Sequence, residues 1–322
     1  YDPDWNLFND DLFRKSQLFN YYHRTIAHNT ILVYDPDEKF SMPVVNDGGQ
    51  RQLLFADGTR NVPEDYEQGT FPSDVGVGTC DWATNPGRWE TGDILAYRAT
   101  KDFVYVCGDG TAAYSPEKMK SFVRQLFFIQ PDLVVVFDRV VSTKPELKKT
   151  WLLQTLGEPT IGADKSYFQA TNQDGRLVCV PVLPAKRSLV KVGREGMEFE
   201  VGAVVFGYGP SSLVSPDELH YGEIAGKWRV EESPEIAAEE DYFLNVIMLT
   251  DSTSSEVPAI RVIAQDDKNI CISVTATDGK AATVTFGKGE KPTAGITIKE
   301  GEKEIFADTI SNEIVLEEGR PE

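Results

Sequence analysis

Histidine is the residue type best suited to proton transfer or metal binding near neutral pH, and the chain has only three: His23, His28 and His220. The first two sit five apart in Tyr21-Tyr-His-Arg-Thr-Ile-Ala-His-Asn-Thr30. In an extended chain an odd separation puts the two imidazoles on opposite faces, so only one of them can line a given pocket. His28, alternating with Ile26 and Thr30, is the better placed; it reads either as a ligand or base, or as a satisfied histidine at a strand end. Asn46-Asp-Gly-Gly-Gln-Arg51 offers a tight glycine loop that lets a ligand approach the backbone, with Arg51 able to hold a carboxylate through two hydrogen bonds. An ordinary hairpin turn is the competing reading. Asn85-Pro-Gly-Arg-Trp-Glu90 combines a charge at Arg88 with a stacking face at Trp89, which suits a sugar or plain loop packing. Asp35, Asp37 and Glu38 have oxygen ligands for a hard cation but no EF-hand pattern, and a solvated turn is expected. Nucleophile-elbow, zincin, P-loop and dinucleotide motifs are absent.

The elements that must position these residues are strands. Short β-branched or aromatic runs such as Thr30–Tyr34, Asp102–Cys107, Leu133–Val141, Phe199–Phe206 and Phe243–Thr250 alternate with Asp-Gly, Pro-Asp and similar turn signals. Only the first 25 or so residues could hold a short helix. Ten or more strands with almost no helix predict a mainly β fold, a large antiparallel β-sandwich. A polar stretch at Asp251–Pro258 suggests a boundary, giving a sandwich over residues 1–255 and a small C-terminal β-layer over 256–322.

The chain has 322 residues, enough for a sizeable core, and 32 Lys+Arg against 51 Asp+Glu give a net charge of −19. That balance disfavours nucleic acid and anionic membranes as partners. No apolar run approaches the ~20 residues of a membrane helix. The four cysteines are scattered without a CxxC pair and are expected to be buried apolar residues. The sequence begins at Tyr1 without Met or a signal-peptide pattern, so an upstream portion is expected.

Arg24-Thr-Ile-Ala-His-Asn-Thr-Ile-Leu-Val33 resembles the segment that opens the β-sheet region of the heparinase II/III-like polysaccharide lyases. The resemblance continues through Tyr34-Asp-Pro36, Asn46–Arg51, Gly92–Ala96, Gly108–Ser115, Val136-Phe-Asp-Arg139, Trp228–Glu231 and Asp241–Asn245. It implies the sandwich portion of a two-part enzyme whose other part is an α/α toroid, secreted or periplasmic, cleaving acidic polysaccharides by β-elimination in the cleft between the parts. It also implies that His28 corresponds to a zinc ligand, with the other ligands upstream of Tyr1. Beside it, Tyr21, Tyr22 and His23 are candidates for proton transfer. Arg24, Asn29, Gln50, Arg51, Arg88 and Trp89 are candidates for substrate binding. Trp5, Phe8 and Phe19 are expected on the face that meets the toroid. The strongly negative charge favours a uronate of low charge density over a heavily sulfated chain, unless Arg24, Arg51 and Arg88 converge. The competing class is a non-catalytic carbohydrate-binding or scaffolding sandwich. Oligomeric state is left open.

Overall fold

The computed structural model describes residues 21–22, 24–38, 45–51, 91–194, 197, 199–202, 204–205, 228–311 and 314–315. The expectations at His23, Arg88, Trp89, His220, the N-terminal helix and the Trp5, Phe8 and Phe19 face lie outside them.

The strands, in chain order, are β1 (Ile31–Tyr34), β2 (Asp93–Ala99), β3 (Phe103–Asp109), β4 (Met119–Ile129), β5 (Leu133–Ser142), β6 (Lys148–Thr155) and β7 (Thr160–Ile161). They continue with β8 (Phe168–Asn172), β9 (Gly175–Leu183), β10 (Arg187–Gly193), β11 (Glu200–Val201), β12 (Val204–Val205), β13 (Trp228–Pro234) and β14 (Glu240–Asp251). The C-terminal set is β15 (Arg261–Gln265), β16 (Asn269–Thr275), β17 (Lys280–Gly287), β18 (Ala294–Glu300), β19 (Lys303–Ile310) and β20 (Ile314–Val315). The mainly β, antiparallel architecture read from the sequence is observed, and the parallel contact of β2 with β20 is an exception.

Three sheets stack. The central sheet has nine strands in the order β20-β2-β3-β4-β5-β14-β9-β8-β7; a four-stranded sheet, β1-β6-β13-β10, lies on one face. The five-stranded meander β15–β19 lies on the other. The side-chain period of two sorts residues between these layers. On β5, Leu133, Val135 and Phe137 join a core with Ile270, Ile272, Val284, Phe286 and Ile296 of the meander. Val134 and Val140 point the other way, toward Ile31, Val33, Trp151, Leu153 and Val230 of the four-stranded sheet. A strand buried on both faces needs no polar alternation, which explains the run Leu133-Val-Val-Val-Phe137. The C-terminal strands thus form their own sheet yet share one core with the central sheet.

A third, smaller core covers the outer face of the four-stranded sheet. Leu32 and Leu152, one residue out of phase with the inner set, pack with Tyr21, Ile26, Phe199 and Val201. The expected strand over Phe199–Phe206 is interrupted: within the described residues it is the two-residue pair β11 and β12, turned at Gly202 with φ +61°. Among the described cysteines, Cys107 and Cys179 are buried and Cys271 half-buried, all as free thiols.

The interface between the central and four-stranded sheets also contains polar groups. Glu232 on β13 is fully buried; its Oε2 accepts from Asn245 Nδ2 on β14 at 2.9 Å. Cys179 on β9 donates to the Asn245 Oδ1 at 3.6 Å. The Arg187 guanidinium of β10 lies 3.8 Å from Glu232 Oε1 but spends its terminal nitrogens on the carbonyls of Pro184 and Pro181. Asp138 of β5 faces the same space. Burial pushes the Glu232 carboxyl up to about 8, against the lowering effects of Asn245 and Arg187. A carboxyl whose folded pKa lies above its unfolded value binds more protons when folded. Its contribution is therefore most favourable below the ordinary value of 4.5 and is lost as pH rises toward 8. Thermal melts of the Glu232→Gln protein, which keeps the shape without the charge, should show a weaker fall of Tm than the parent as pH rises from 4.5 to about 8. Identical pH profiles would contradict a neutral Glu232.

Candidate functional site

The motif segment is not a strand. Thr25–Ala27 forms a 3₁₀ turn, closed by Ala27 N–H to Arg24 O at 3.1 Å and His28 N–H to Thr25 O at 3.0 Å, and β1 begins only at Ile31. The strand alternation assumed for His28, Ile26 and Thr30 therefore does not apply. In the turn, Thr25 and Ile26 point inward, whereas His28 and Asn29 are exposed at its end. The His28 imidazole makes no hydrogen bond or ion pair among the described residues, leaving both ring nitrogens open to a ligand.

Asp47 fixes this turn to the neighbouring loop. Its Oδ1 accepts from Arg24 Nη2 at 2.5 Å and from the Gly49 N–H at 3.0 Å, and its Oδ2 accepts from the Ile26 N–H at 3.2 Å. Burial alone would raise the Asp47 carboxyl, but Arg24, the Gly49 amide and Lys118 outweigh it and hold the group below its usual value. A second buried pair braces the other side: Lys118 Nζ donates to Glu38 Oε2 at 2.6 Å and to Gly49 O at 2.7 Å. Glu38 thus belongs to an internal pair rather than to the solvated turn expected from sequence. Asp35 is also buried, its Oδ1 accepting from the Asp37 N–H at 2.9 Å.

The two glycines serve this packing. Gly48 has φ +75°, and a Cβ there would lie 3.0 Å from the Tyr34 Cα; a Cβ on Gly49 would lie 2.4 Å from Thr25 Cβ. The close approach expected toward a ligand is made to β1 and to the 3₁₀ turn. Gln50 N–H donates to Thr25 Oγ1 at 2.6 Å, and its side chain is half-buried. Arg51 is buried, with Nε donating to Ala112 O at 2.7 Å.

Two residues without a motif hold Asn29 from beneath. Gln154 at the end of β6 donates its backbone N–H to Asn29 Oδ1 at 2.7 Å and its Nε2 to Ile26 O at 2.8 Å, and accepts from the Tyr21 hydroxyl at 3.3 Å. Arg124 of β4 donates Nη1 to Asn29 O at 2.6 Å while gripping the buried Asp138 through two bonds of 2.7 Å. The signal for this pair was a lone carboxylate inside the apolar stretch of β5, since an acid is almost never fully buried unless paired. Gln154 gave no such signal.

The sequence candidates separate accordingly. Tyr21 is 1% exposed, with its ring edge-on to Phe199 and Arg229 stacked over it at 5.9 Å; burial raises its phenol despite the lowering effect of Arg229. Tyr22 is half-buried beside it, ring centroids 5.8 Å apart. Arg24 is 2% exposed and committed to Asp47. His28 and Asn29 are exposed at the end of the turn, with the Gln50 backbone tied to the turn through Thr25. Among the described residues no group of three or more His, Cys, Asp or Glu side chains converges to hold a metal. Zinc takes four ligands, and the described residues at this turn supply one, so they do not by themselves fit the ion.

A three-layer antiparallel sandwich with an exposed His-Asn turn anchored by buried ion pairs defines the class. Neither a family model nor a curated protein matches the sequence. Among solved structures, the chain is similar to a mutant of the heparan sulfate lyase HepC from Pedobacter heparinus, with TM-score 0.50 and 12% identity over 90% of this chain and 34% of that one. A second structure of that lyase gives TM-score 0.48 and 12% identity over 93% and 33%. The chain spans about a third of the length of these structures, and at this identity the likeness to the first is one of fold.

Replacing Asp47 by Asn should destabilise the protein by about 3–5 kcal/mol, because Arg24 keeps its charge in a buried setting without its counter-ion. Denaturant unfolding measures this, and hydrogen exchange should localise the loosening to residues 24–30 and 45–51. Because the Asp47 carboxyl is held low, its stabilisation is present above its ordinary value of 3.8 and lost as pH falls below it.

Proposed function

We propose that the chain is the sandwich portion of a polysaccharide lyase that cleaves a uronate-containing glycan by β-elimination, working with an α/α toroid domain. The observation that carries this reading is the unengaged His28 imidazole held beside Asn29 on a fixed turn, in a fold similar to that of a heparan sulfate lyase. Elimination removes the proton next to the uronate carboxyl, breaks the C–O bond to the leaving sugar and forms a C=C bond. The charge that gathers on the carboxyl must be met by fixed donors. Asn29 has both its oxygens engaged from below by Gln154 and Arg124, so its Nδ2 amide remains for the carboxylate. In a zinc-containing complete protein His28 would be one ligand, with the others outside the described residues, and the ion would supply positive charge for carboxylate binding.

Of the proton-transfer candidates, Tyr21 is sealed in the small outer core and Tyr22 packs half-buried against it with its hydroxyl oxygen buried, so the described tyrosines of this segment do not present a phenol at the surface. Arg24 and Arg51 are buried in internal contacts and do not converge as a sulfate-binding surface, which supports a substrate of lower charge density. Secretion or a periplasmic location follows from such a substrate; no helix among the described residues is long and apolar enough to cross a membrane.

The test uses the complete protein with alginate, ulvan, chondroitin and heparan, following the ultraviolet absorbance of the unsaturated uronyl product. Activity is expected on at least one of the less sulfated chains, and His28→Ala should lower it by roughly 10²-fold or more and reduce bound zinc. Glycan binding without any absorbance gain would favour the carbohydrate-binding sandwich. Full activity and full zinc content in the His28→Ala protein would remove His28 from the site.

A further inference from the structure

At the ends of β9 and β14 the inward face of the central sheet is only partly covered by the described residues. A cleft of about 390 Å³ opens there between the end of β6 and the β8–β9 hairpin. Its floor is aliphatic: Leu156, Leu177 and Leu249. Leu249 follows Phe243, Asn245 and Ile247 on the inward side of β14, yet is 47% exposed. An apolar side chain on a core-facing register, open to solvent inside a concavity, is what a ligand with an apolar face would cover.

The cleft is rigidly framed. Thr155 Oγ1 donates to Gly157 O at 2.8 Å, and Gly157 lies so close to the hairpin that a Cβ there would meet Thr171 O at 2.0 Å. Arg176, 6% exposed, forms part of the wall but turns all three nitrogens to neutral acceptors: Nε and Nη2 to Gln169 Oε1 at 3.1 and 2.6 Å, Nη1 to Glu256 O at 2.7 Å. The lining contains no carboxylate. Polar capacity comes instead from the exposed Thr171 and Asn172 on the rim, whose side chains make no hydrogen bonds with the described residues, and from the hydroxyl oxygens of Thr155 and Thr250.

An aliphatic floor with an amide and hydroxyl rim and no exposed charged side chain matches a sugar ring, which has an apolar C–H face and a hydroxyl edge. A uronate is disfavoured, since its carboxylate would meet no exposed cation: Arg176 is buried in the wall and turned to Gln169 and Glu256. We propose that this cleft binds an uncharged sugar unit of a glycan. The volume falls within the roughly 300–1,000 Å³ typical of small-molecule sites. Gln154 lines the cleft and also bonds to Asn29, so a chain seated there borders the His28 turn. Occupancy of the cleft does not depend on lyase activity.

The test is methyl-labelled NMR on the 322-residue chain, titrated with neutral tetrasaccharides (xylo-, cello-, manno- and galacto-) and with tetragalacturonate. At least one neutral tetrasaccharide should shift the Leu177 and Leu249 methyl signals, with tetragalacturonate binding at least about 5-fold more weakly. Asn172→Ala should weaken binding by about 5-fold through loss of a hydrogen-bonding amide, and Leu249→Asp, an exposed change, should abolish it. His28→Ala should leave it unchanged, which separates this site from the lyase reading. No shift with any neutral probe, equal or tighter binding of tetragalacturonate, or undiminished binding by Leu249→Asp would overturn the proposal.

Discussion

Through its middle strands the nine-stranded sheet is covered on both faces, so a polar side chain buried there must find its partner inside the sandwich. Asp138 meets this constraint through Arg124, and Asn245 through Glu232 and Cys179. These partners lie in different strands. Arg124 also spans the layers: after pairing with Asp138 it has a donor left, which takes the Asn29 carbonyl at the edge of the four-stranded sheet. A requirement of the interior is thereby converted into the position of a surface turn.

The turn itself is a second electrostatic construction. Arg24, Asp47, Lys118 and Glu38 place two positive and two negative charges in a buried, neutral set, and Asp47 alone ties three points of the chain together. Such pairs contribute little net stability relative to an apolar core of the same shape, because desolvation offsets their attraction. What they provide is geometry: neither partner can leave without stranding a buried charge. His28 and Asn29 consequently stand on a base fixed by Asp47 from one side and by Gln154 and Arg124 from the other. Their own outward atoms remain uncommitted.

This arrangement divides the motif residues between two tasks. Arg24, Asp47, Gly48, Gly49 and Arg51 build the turn and its supporting loop, whereas His28 and Asn29 are presented by it. A motif read only as a set of binding groups mixes the two. The proposed neutral cleft at the far end of β6 extends the same logic, since Gln154 faces the turn with its hydrogen bonds and the cleft with its remaining surface.

How much was legible follows from the range of each interaction. Local pattern was enough for the strands: the apolar run at Leu133–Phe137 and the turn chemistry between short β-branched segments yield an antiparallel sandwich, because alternation and turn residues act over a few positions. Of the cysteines expected to be buried, Cys107 and Cys179 are and Cys271 is half-buried, while Cys80 lies outside the described residues. The 3₁₀ turn at Thr25–Ala27 was not, because it is held by Asp47, more than 20 residues away, against a local preference for extension. Nor was the burial of Tyr21 and Arg24, which depends on the outer face of β6 and on Phe199. Sequence by itself determined which residues could alternate, turn or ionise. Tertiary structure decided which of the ionisable ones were spent on one another, because a buried charge must be neutralised by whatever the fold brings within hydrogen-bond reach, and sequence spacing does not encode that distance.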